Sequence, residues 1–165
     1  MSWETHMQDF PHHYSVVASG DPDHDVTLAA DRLPAFRAAT PREFGGAGDC
    51  WSPETLLVAA VASCFVLTFR GVARASRVSW TSITCDVDGT LDRIERVTQF
   101  THVALRVSLC VPAGTDEDHA RRVLEKAERS CLIAQSLKAA VELHAEVTMA
   151  PTIDVGPHEY ATTSN

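Results

Sequence analysis

The chain lacks the features that mark several large classes of protein. Its first residues contain neither a positively charged nor an apolar stretch, so nothing there predicts a signal peptide, and we expect a cytoplasmic location. It has no clustered stripe of Lys and Arg, and its net charge is -8, which argues against nucleic acid and anionic membranes as partners. It has no internal repeat or low-complexity tract. With 45% hydrophobic and 22% charged residues over 165 positions, it resembles an ordinary globular domain.

The five cysteines lack the spacing of a disulfide framework or a zinc finger, since their number is odd and no C-x-x-C pair occurs. A thiol in a reducing compartment is either buried and inert or exposed and chemically used. Cys85 and Cys110 lie in predicted strands and are expected to be structural, while Cys50 lies in a glycine-rich loop. Composition alone also indicates core packing for Cys64. Cys131 follows a helix end and is therefore the stronger candidate for a functional thiol.

The first half of the chain predicts a hairpin and one long helix. Residues 14–18 and 26–30 flank a cluster of turn residues, which predicts the hairpin. Ser52-Pro53-Glu54 is a helix-start signal, in which Ser caps, Pro fits the first position and Glu complements the dipole. The apolar run that follows predicts a core helix over 53–75. The apolar stretch within it is shorter than the roughly 20 apolar residues that a membrane span needs.

The second half predicts strands and an amphipathic helix. Three segments alternate, with their odd-numbered residues predicted to point inward; these segments lie at 83–87, 103–109 and 141–147. Before the last of them, an acidic turn at 115–118 starts an amphipathic helix that ends near Cys131. The fold class is therefore α+β, with antiparallel sheets wrapped around a long buried central helix.

The central helix also bears on assembly. A helix that is apolar on every face exceeds what one small sheet can cover, so we expect a second subunit and an intertwined homodimer. Along the chain we expect a flexible segment over 1–13, a single domain over 14–149 and a polar tail over 150–165.

Two motifs resemble the signature of the OsmC/Ohr family of thiol peroxidases. The first joins a glycine-rich loop at 44–48 to the helix start at 52–54 and to Ala62-Ser63-Cys64-Phe65. The second, over 126–137, places Cys131 after a helix and before Leu132-Ile133. The two motifs occur in the family's order, 67 residues apart, and the resemblance covers roughly residues 14–149.

The resemblance implies an activity and a set of residue roles. It implies a homodimer that reduces organic hydroperoxides, with its sites at the subunit interface and with no metal, flavin or nucleotide cofactor. Cys64 would be the peroxidatic thiol and Cys131 the resolving thiol. Cys64 would form a sulfenic acid and then a disulfide with Cys131, which an external dithiol or lipoyl-type reductant would reduce.

Attack on a peroxide requires a thiolate, and an ordinary Cys with a pKa of about 8.5 is only ~3% ionised at pH 7. We therefore expect a cation near Cys64. The resemblance implies an Arg held by Glu54, but the first hairpin turn, where one branch of the family carries it, contains none. Arg37 and Arg42 precede the helix, and Arg42 is the favoured candidate.

Two other functions stay open. One is a family member with weak or no peroxidase activity that binds a small hydrophobic ligand at the dimer interface. The other is a Cys hydrolase, which needs a His base. The eight histidines fall in no recognisable pairing motif, and this disfavours the hydrolase.

Overall fold

The computed structural model describes residues 9–151. The chain divides into two compact units, one up to Leu56 and one from Leu57 onward. The sequence predicts a single domain over 14–149, whereas the contacts within the chain group these two parts separately. The predicted flexible start and polar tail fall mostly on residues 1–8 and 152–165, outside the described residues.

The first unit carries a small antiparallel sheet of three strands, in the order β1-β2-β3. The strands are β1 (Val17–Ser19), β2 (Val26–Ala29) and β3 (Phe36–Ala38). The carboxylate of Asp21 accepts hydrogen bonds from two backbone N–H groups of the turn between β1 and β2, at 3.0 and 3.1 Å. Such an Asp bond replaces a backbone turn bond, and the predicted hairpin is confirmed.

The long helix α1 spans Pro53–Ala75, as predicted. Its start is capped reciprocally by two side chains. The Thr55 N–H donates to Ser52 Oγ at 3.2 Å, and the Ser52 N–H donates to Thr55 Oγ1 at 2.8 Å. These bonds satisfy backbone donors that have no partner inside the helix. The start of α1 is thereby fixed by the motif that predicted it.

The second unit holds a sheet with the order β4-β5-β6. Strands β4 (Ser82–Ile94) and β5 (Val97–Val111) are antiparallel, but β6 (Ala140–Met149) pairs with β5 in parallel. The expectation of antiparallel pairing throughout was wrong at this strand. Helices α2 (Glu117–Arg129) and α3 (Leu132–Gln135) connect β5 to β6, and a helical crossover returns the chain in the same direction.

The core of the second unit lies between the sheet and the helices. The predicted inward positions of all three strands are buried or half-buried, and their outward neighbours on β4 and β6 are mostly exposed. Helix α2 adds its predicted stripe, and α1 adds one stripe of residues four apart; these eight are Ala120, Val123, Leu124, Ala127, Val61, Phe65, Phe69 and Ala73. The alternation and the helical period together locate this core.

Helix α1 buries less of its surface than a central core helix should. Among its described residues only one stripe is fully covered, and Leu67 on another face is 61% exposed. The helix is also long and apolar enough to cross a membrane, but the core helix of a soluble protein meets the same criterion. Within the second unit, part of the apolar surface of α1 therefore stays uncovered.

Candidate active site

The register of α1 places Cys64 at the edge of the core. Val61, Phe65 and Phe69 form the buried stripe, and Cys64 precedes Phe65 by one residue, about 100° around the helix. Its thiol is therefore half-buried rather than enclosed. Thr68 follows four residues later on the same edge, and its Oγ1 lies 4.0 Å from Cys64 Sγ.

Cys131 lies between two helices. The backbone N–H of Cys131 donates to the Glu128 carbonyl at 3.1 Å, which closes α2. Cys131 then adopts an extended conformation as the N-cap of α3, and its side chain is completely buried. The first amides of a helix have no carbonyl partner inside it, so the N–H groups of Leu132 and Ile133 are available to a neighbouring sulfur.

The sulfur of Cys64 accepts hydrogen bonds from these N–H groups. Burial raises the pKa of Cys64, but hydrogen bonds from the Ile133 N–H, the Cys131 thiol, the Thr68 hydroxyl and the Leu132 N–H outweigh burial. The pKa of Cys64 is consequently lowered from that of an ordinary thiol. Hydrogen bonds donated to a charged sulfur favour its thiolate form.

The pKa of Cys131 shifts in the opposite direction. Burial raises the pKa of Cys131 to about 11, together with the hydrogen bond that its thiol makes to Cys64 and the charge on Cys64. The backbone N–H groups of Ala134 and Ile133 act the other way but do not compensate. The first proton of the pair therefore leaves from Cys64, while Cys131 stays a thiol and a donor.

The two cysteines predicted to be structural lie on β4 and β5. Cys85 faces inward, and burial, with the charges of Asp86 and Cys131, raises its pKa to about 11. Such a thiol is protonated near neutral pH. Cys110 pairs with Ser82 in the antiparallel ladder and is half-buried. Within the described part of the chain, neither cysteine accepts a set of hydrogen bonds like that around Cys64.

Arg42 is held by the glycine-rich loop of the first unit. Its Nε donates to the Ala47 carbonyl at 3.0 Å. A Cβ on Gly48, which has a positive φ of 74°, would lie 2.4 Å from Arg42 Cγ, and a Cβ on Gly46 would lie 1.7 Å from the Thr40 carbonyl oxygen. Glycine is thus required at both positions if the loop is to close around the Arg42 side chain.

Glu54 lies in the first turn of α1 and lines a cavity of about 700 Å³ within the first unit. Among residues 9–151, its Oε2 atom is buried without a hydrogen-bond partner, and it forms no ion pair with Arg42. The cavity lining is mostly apolar, with contributions from Val26, Leu28, Ala38, Pro41, Phe44 and Leu56. A buried carboxylate oxygen without a hydrogen-bond donor is unfavourable, so we expect a donor to bind Glu54 Oε2.

Arg37 has a different partner. Its guanidinium forms an ion pair with Asp25, and the thiol of Cys50 lies 3.9 Å from the same Asp25 carboxylate. A charged group near Cys50 was not predicted from the sequence. The assignment of an arginine to Cys64, whether Arg42 or Arg37, stays a prediction.

The hydrogen-bond donors of Cys64 were not predicted from the sequence. The prediction was a cation, whereas the groups that lower the thiol pKa include two backbone amides and the Thr68 hydroxyl. One signal was available, because Thr68 is one of only two polar residues in the run from Leu56 to Phe69. The amides of Leu132 and Ile133 gave no signal, since every residue except Pro carries one.

The described residues contain no group of three or more His, Cys, Asp or Glu side chains able to hold a metal ion. The histidines near the sheet serve other contacts. His144 lies on the exposed face of β6, 3.3 Å from Glu142, and His119 Nε2 lies 3.0 Å from the Ser76 carbonyl oxygen.

Comparison with known proteins identifies the family. A family model described as OsmC-like protein matches residues 46–146, which include both Cys64 and Cys131. The chain belongs to the OsmC-like family. Among its relatives, the uncharacterized protein YmaD of Bacillus subtilis (strain 168) is 24% identical over 143 residues, covering 84% of this chain and 95% of that protein.

Two further OsmC-like proteins carry functional names. Peroxiredoxin OsmC of Escherichia coli (strain K12) is 32% identical over 92 residues, 56% of this chain and 64% of that protein. The crystal structure of an organic hydroperoxide resistance protein OsmC from Legionella pneumophila superimposes with a TM-score of 0.67 at 25% identity, covering 85% of this chain and 99% of that chain. The predicted family and fold class are confirmed.

Proposed function

We propose that this OsmC-like protein is a thiol peroxidase that reduces organic hydroperoxides through Cys64, with Cys131 as the resolving thiol. One observation carries the proposal: two thiols share a hydrogen bond, and their pKa values are shifted in opposite directions. A reactive thiolate and a protonated partner are the two species that such a cycle needs. The names of the Escherichia coli and Legionella pneumophila relatives support the same activity.

In the first step, the Cys64 thiolate attacks the terminal oxygen of the hydroperoxide. The sulfur–oxygen bond forms as the oxygen–oxygen bond breaks, so Cys64 is oxidised by two electrons to a sulfenic acid. The alkoxide that leaves takes up a proton and departs as the alcohol. Because the thiolate is the nucleophile, the lowered pKa of Cys64 increases the reactive fraction near neutral pH.

The second step follows from the coupling between the two sulfurs. Two of the causes that raise the pKa of Cys131 are its hydrogen bond to Cys64 and the negative charge there. Formation of a neutral sulfenic acid removes that charge, while the N–H groups of Ala134 and Ile133 still favour a Cys131 thiolate. Cys131 then attacks Cys64, the disulfide forms and water leaves. An external dithiol or lipoyl-type reductant restores both thiols.

The roles of Glu54 and Arg42 are part of the proposal. The buried and unpartnered Oε2 of Glu54 supports a role in holding a donor, and a guanidinium is the donor that best matches a carboxylate. Arg42 is our candidate for this guanidinium. In this role it would leave its bond to the Ala47 carbonyl. It would add to the donors that already lower the pKa of Cys64.

We also propose a homodimer, in the cytoplasm, in which a second copy covers the exposed apolar part of α1. The exposed Leu67 and the single buried stripe of α1 support it, because an uncovered apolar patch of this kind marks an interface. The molar mass in solution, measured by light scattering, tests the homodimer. We expect twice the chain mass of 17.9 kDa, and a mass equal to that of one chain would contradict the proposal. No nucleic acid or membrane partner is expected.

The cavity that Glu54 lines favours a second candidate, a family member that binds a small hydrophobic ligand without efficient peroxidase activity. The lining of this cavity is mostly apolar and its volume of about 700 Å³ is within the range of small-molecule sites. A lipid or fatty acid retained in native mass spectrometry, together with an unreactive Cys64, would select this function over the peroxidase.

The experiment that tests the proposed function is disulfide mapping after one equivalent of tert-butyl hydroperoxide. We expect the reduced protein to lose two thiols and to yield a single cross-linked peptide pair that joins Cys64 to Cys131. All five cysteines are free in the structure, so every other pairing is a possible outcome. A disulfide that excludes Cys64, or five thiols surviving the peroxide, would contradict the proposal.

A further inference from the structure

Thr68 presents its hydroxyl to the sulfur of Cys64. The two residues are four apart in α1, a spacing that makes side chains neighbours on a helix, and Cys64 Sγ lies 4.0 Å from Thr68 Oγ1. A Ser or Thr inside a helix often turns its hydroxyl to a carbonyl three or four residues back. Ser63 does so, with the Ala59 and Ala60 carbonyls at 2.9 and 3.2 Å. The Thr68 hydroxyl faces a sulfur instead.

We propose that Thr68 is a positioning residue of the site, whose hydroxyl donates a hydrogen bond to the Cys64 thiolate and stabilises the reactive form of the sulfur. A thiolate can only accept, so in this state the hydroxyl must be the donor. The effect on peroxide reduction rests on the proposed function, but the effect on the thiol does not.

The place of Thr68 in the fold gives it a role that the other donors lack. The Cys131 thiol is consumed when it bonds to Cys64, and the Leu132 and Ile133 amides lie next to it at the start of α3. Thr68 lies on the same helix as Cys64, so the separation of their backbones does not depend on the segment around α3. We therefore expect Thr68 to stay beside Cys64 when Cys131 reacts.

The test compares Thr68→Val, which keeps the shape and removes the hydroxyl, with Thr68→Ser, which keeps the hydroxyl. The measurement is the pKa of Cys64, obtained from the pH dependence of its alkylation and read by mass spectrometry on the peptide that contains it. We expect the pKa in Thr68→Val to rise by about one unit, since a bond to a charged group is lost. Thr68→Ser is expected to keep the wild-type pKa.

The peroxide reaction supplies a second readout. With Thr68→Val, the rate constant for tert-butyl hydroperoxide is expected to fall about tenfold at a pH below the wild-type Cys64 pKa and to approach the wild-type rate above the raised pKa of the variant. A purely structural role would lower the rate equally at every pH. If Thr68→Val does not fold, as judged by its thermal unfolding, Thr68→Ala replaces it in the same comparison.

An unchanged Cys64 pKa in the variant without the hydroxyl overturns the inference, and so does a Thr68→Ser variant that shifts as far as Thr68→Val. The failure of the proposed function is separate. If wild-type protein does not reduce peroxide but the pKa still rises in Thr68→Val, the peroxidase is wrong and the role of Thr68 stands. If wild-type protein reduces peroxide and the pKa does not move, only the role of Thr68 is lost.

Discussion

Replacing Cys64 with Ser is expected to reduce the turnover of organic hydroperoxide by about a thousandfold or more. The serine hydroxyl stays protonated near neutral pH and is not oxidised by peroxide, so the variant has no nucleophile at the site. The site would otherwise be preserved, because Ser is close to Cys in size and accepts the same hydrogen bonds from Leu132, Ile133 and Thr68. The measurement is peroxide-dependent consumption of a dithiol, with tert-butyl hydroperoxide as substrate.

The matched control is Cys110→Ser. Cys110 lies on β5 opposite Ser82 and is half-buried, like Cys64. Its removal is expected to leave turnover within about twofold of the wild type. Cys85→Ser is also expected to retain turnover, because burial keeps Cys85 protonated. Equal rates for wild type and Cys64→Ser would remove Cys64 from the mechanism.

Replacing Cys131 with Ser is expected to stop the cycle after one equivalent of peroxide. Cys64 still attacks, but no second thiol forms the disulfide, so the sulfenic acid accumulates and dimedone traps it on Cys64. The first step is expected to stay close to the wild-type rate, since a Ser hydroxyl replaces the thiol that donates to the Cys64 sulfur. Stopped-flow peroxide consumption, followed by mass spectrometry, measures both effects.

Cys131→Ala separates the two roles of this side chain. It removes the resolving thiol and the donor together, so its first step is expected to be slower than that of Cys131→Ser by several-fold at neutral pH. If the sulfenic acid of either variant is lost to a disulfide in the absence of any added thiol, Cys131 is not the resolving thiol.

Much of this fold follows from local signals. The bounds of α1 were predicted to the residue, because a capping Ser and a Pro at the first position fix its start and the apolar run sets its course. The alternation in the three strands also predicted their inner faces, since a one-residue shift would expose every apolar side chain. The parallel direction of β6 was missed because alternation carries no information on strand direction.

The site could be predicted only in part. The motifs around Cys64 and Cys131 selected the two thiols, although composition alone indicates core packing for the first. The need for a group that stabilises a thiolate was also inferred, but the identity of that group was not. Backbone amides at the start of α3 become donors only once Cys131 ends one helix and begins the next.

The arginine is the least determined part of the site, for a physical reason. Arg37 lies in β3 and Arg42 just before the glycine-rich loop, and the place of each side chain depends on tertiary contacts. Each arginine already has a partner within the first unit. Glu54 shows where a donor is needed, because its Oε2 is buried without one among residues 9–151. An Arg42→Gln variant with unchanged Cys64 reactivity would direct attention to Arg37.

The central claim is that Cys64 ionises before Cys131 and is the thiolate that meets the peroxide. It is tested most directly by the pH dependence of alkylation of the two thiols in the wild-type protein. We expect Cys64 to react first, with a pKa below that of an ordinary thiol, and Cys131 to react only at higher pH, because burial raises its pKa. A Cys64 pKa at or above that of an ordinary thiol, or a Cys131 that ionises first, would contradict it.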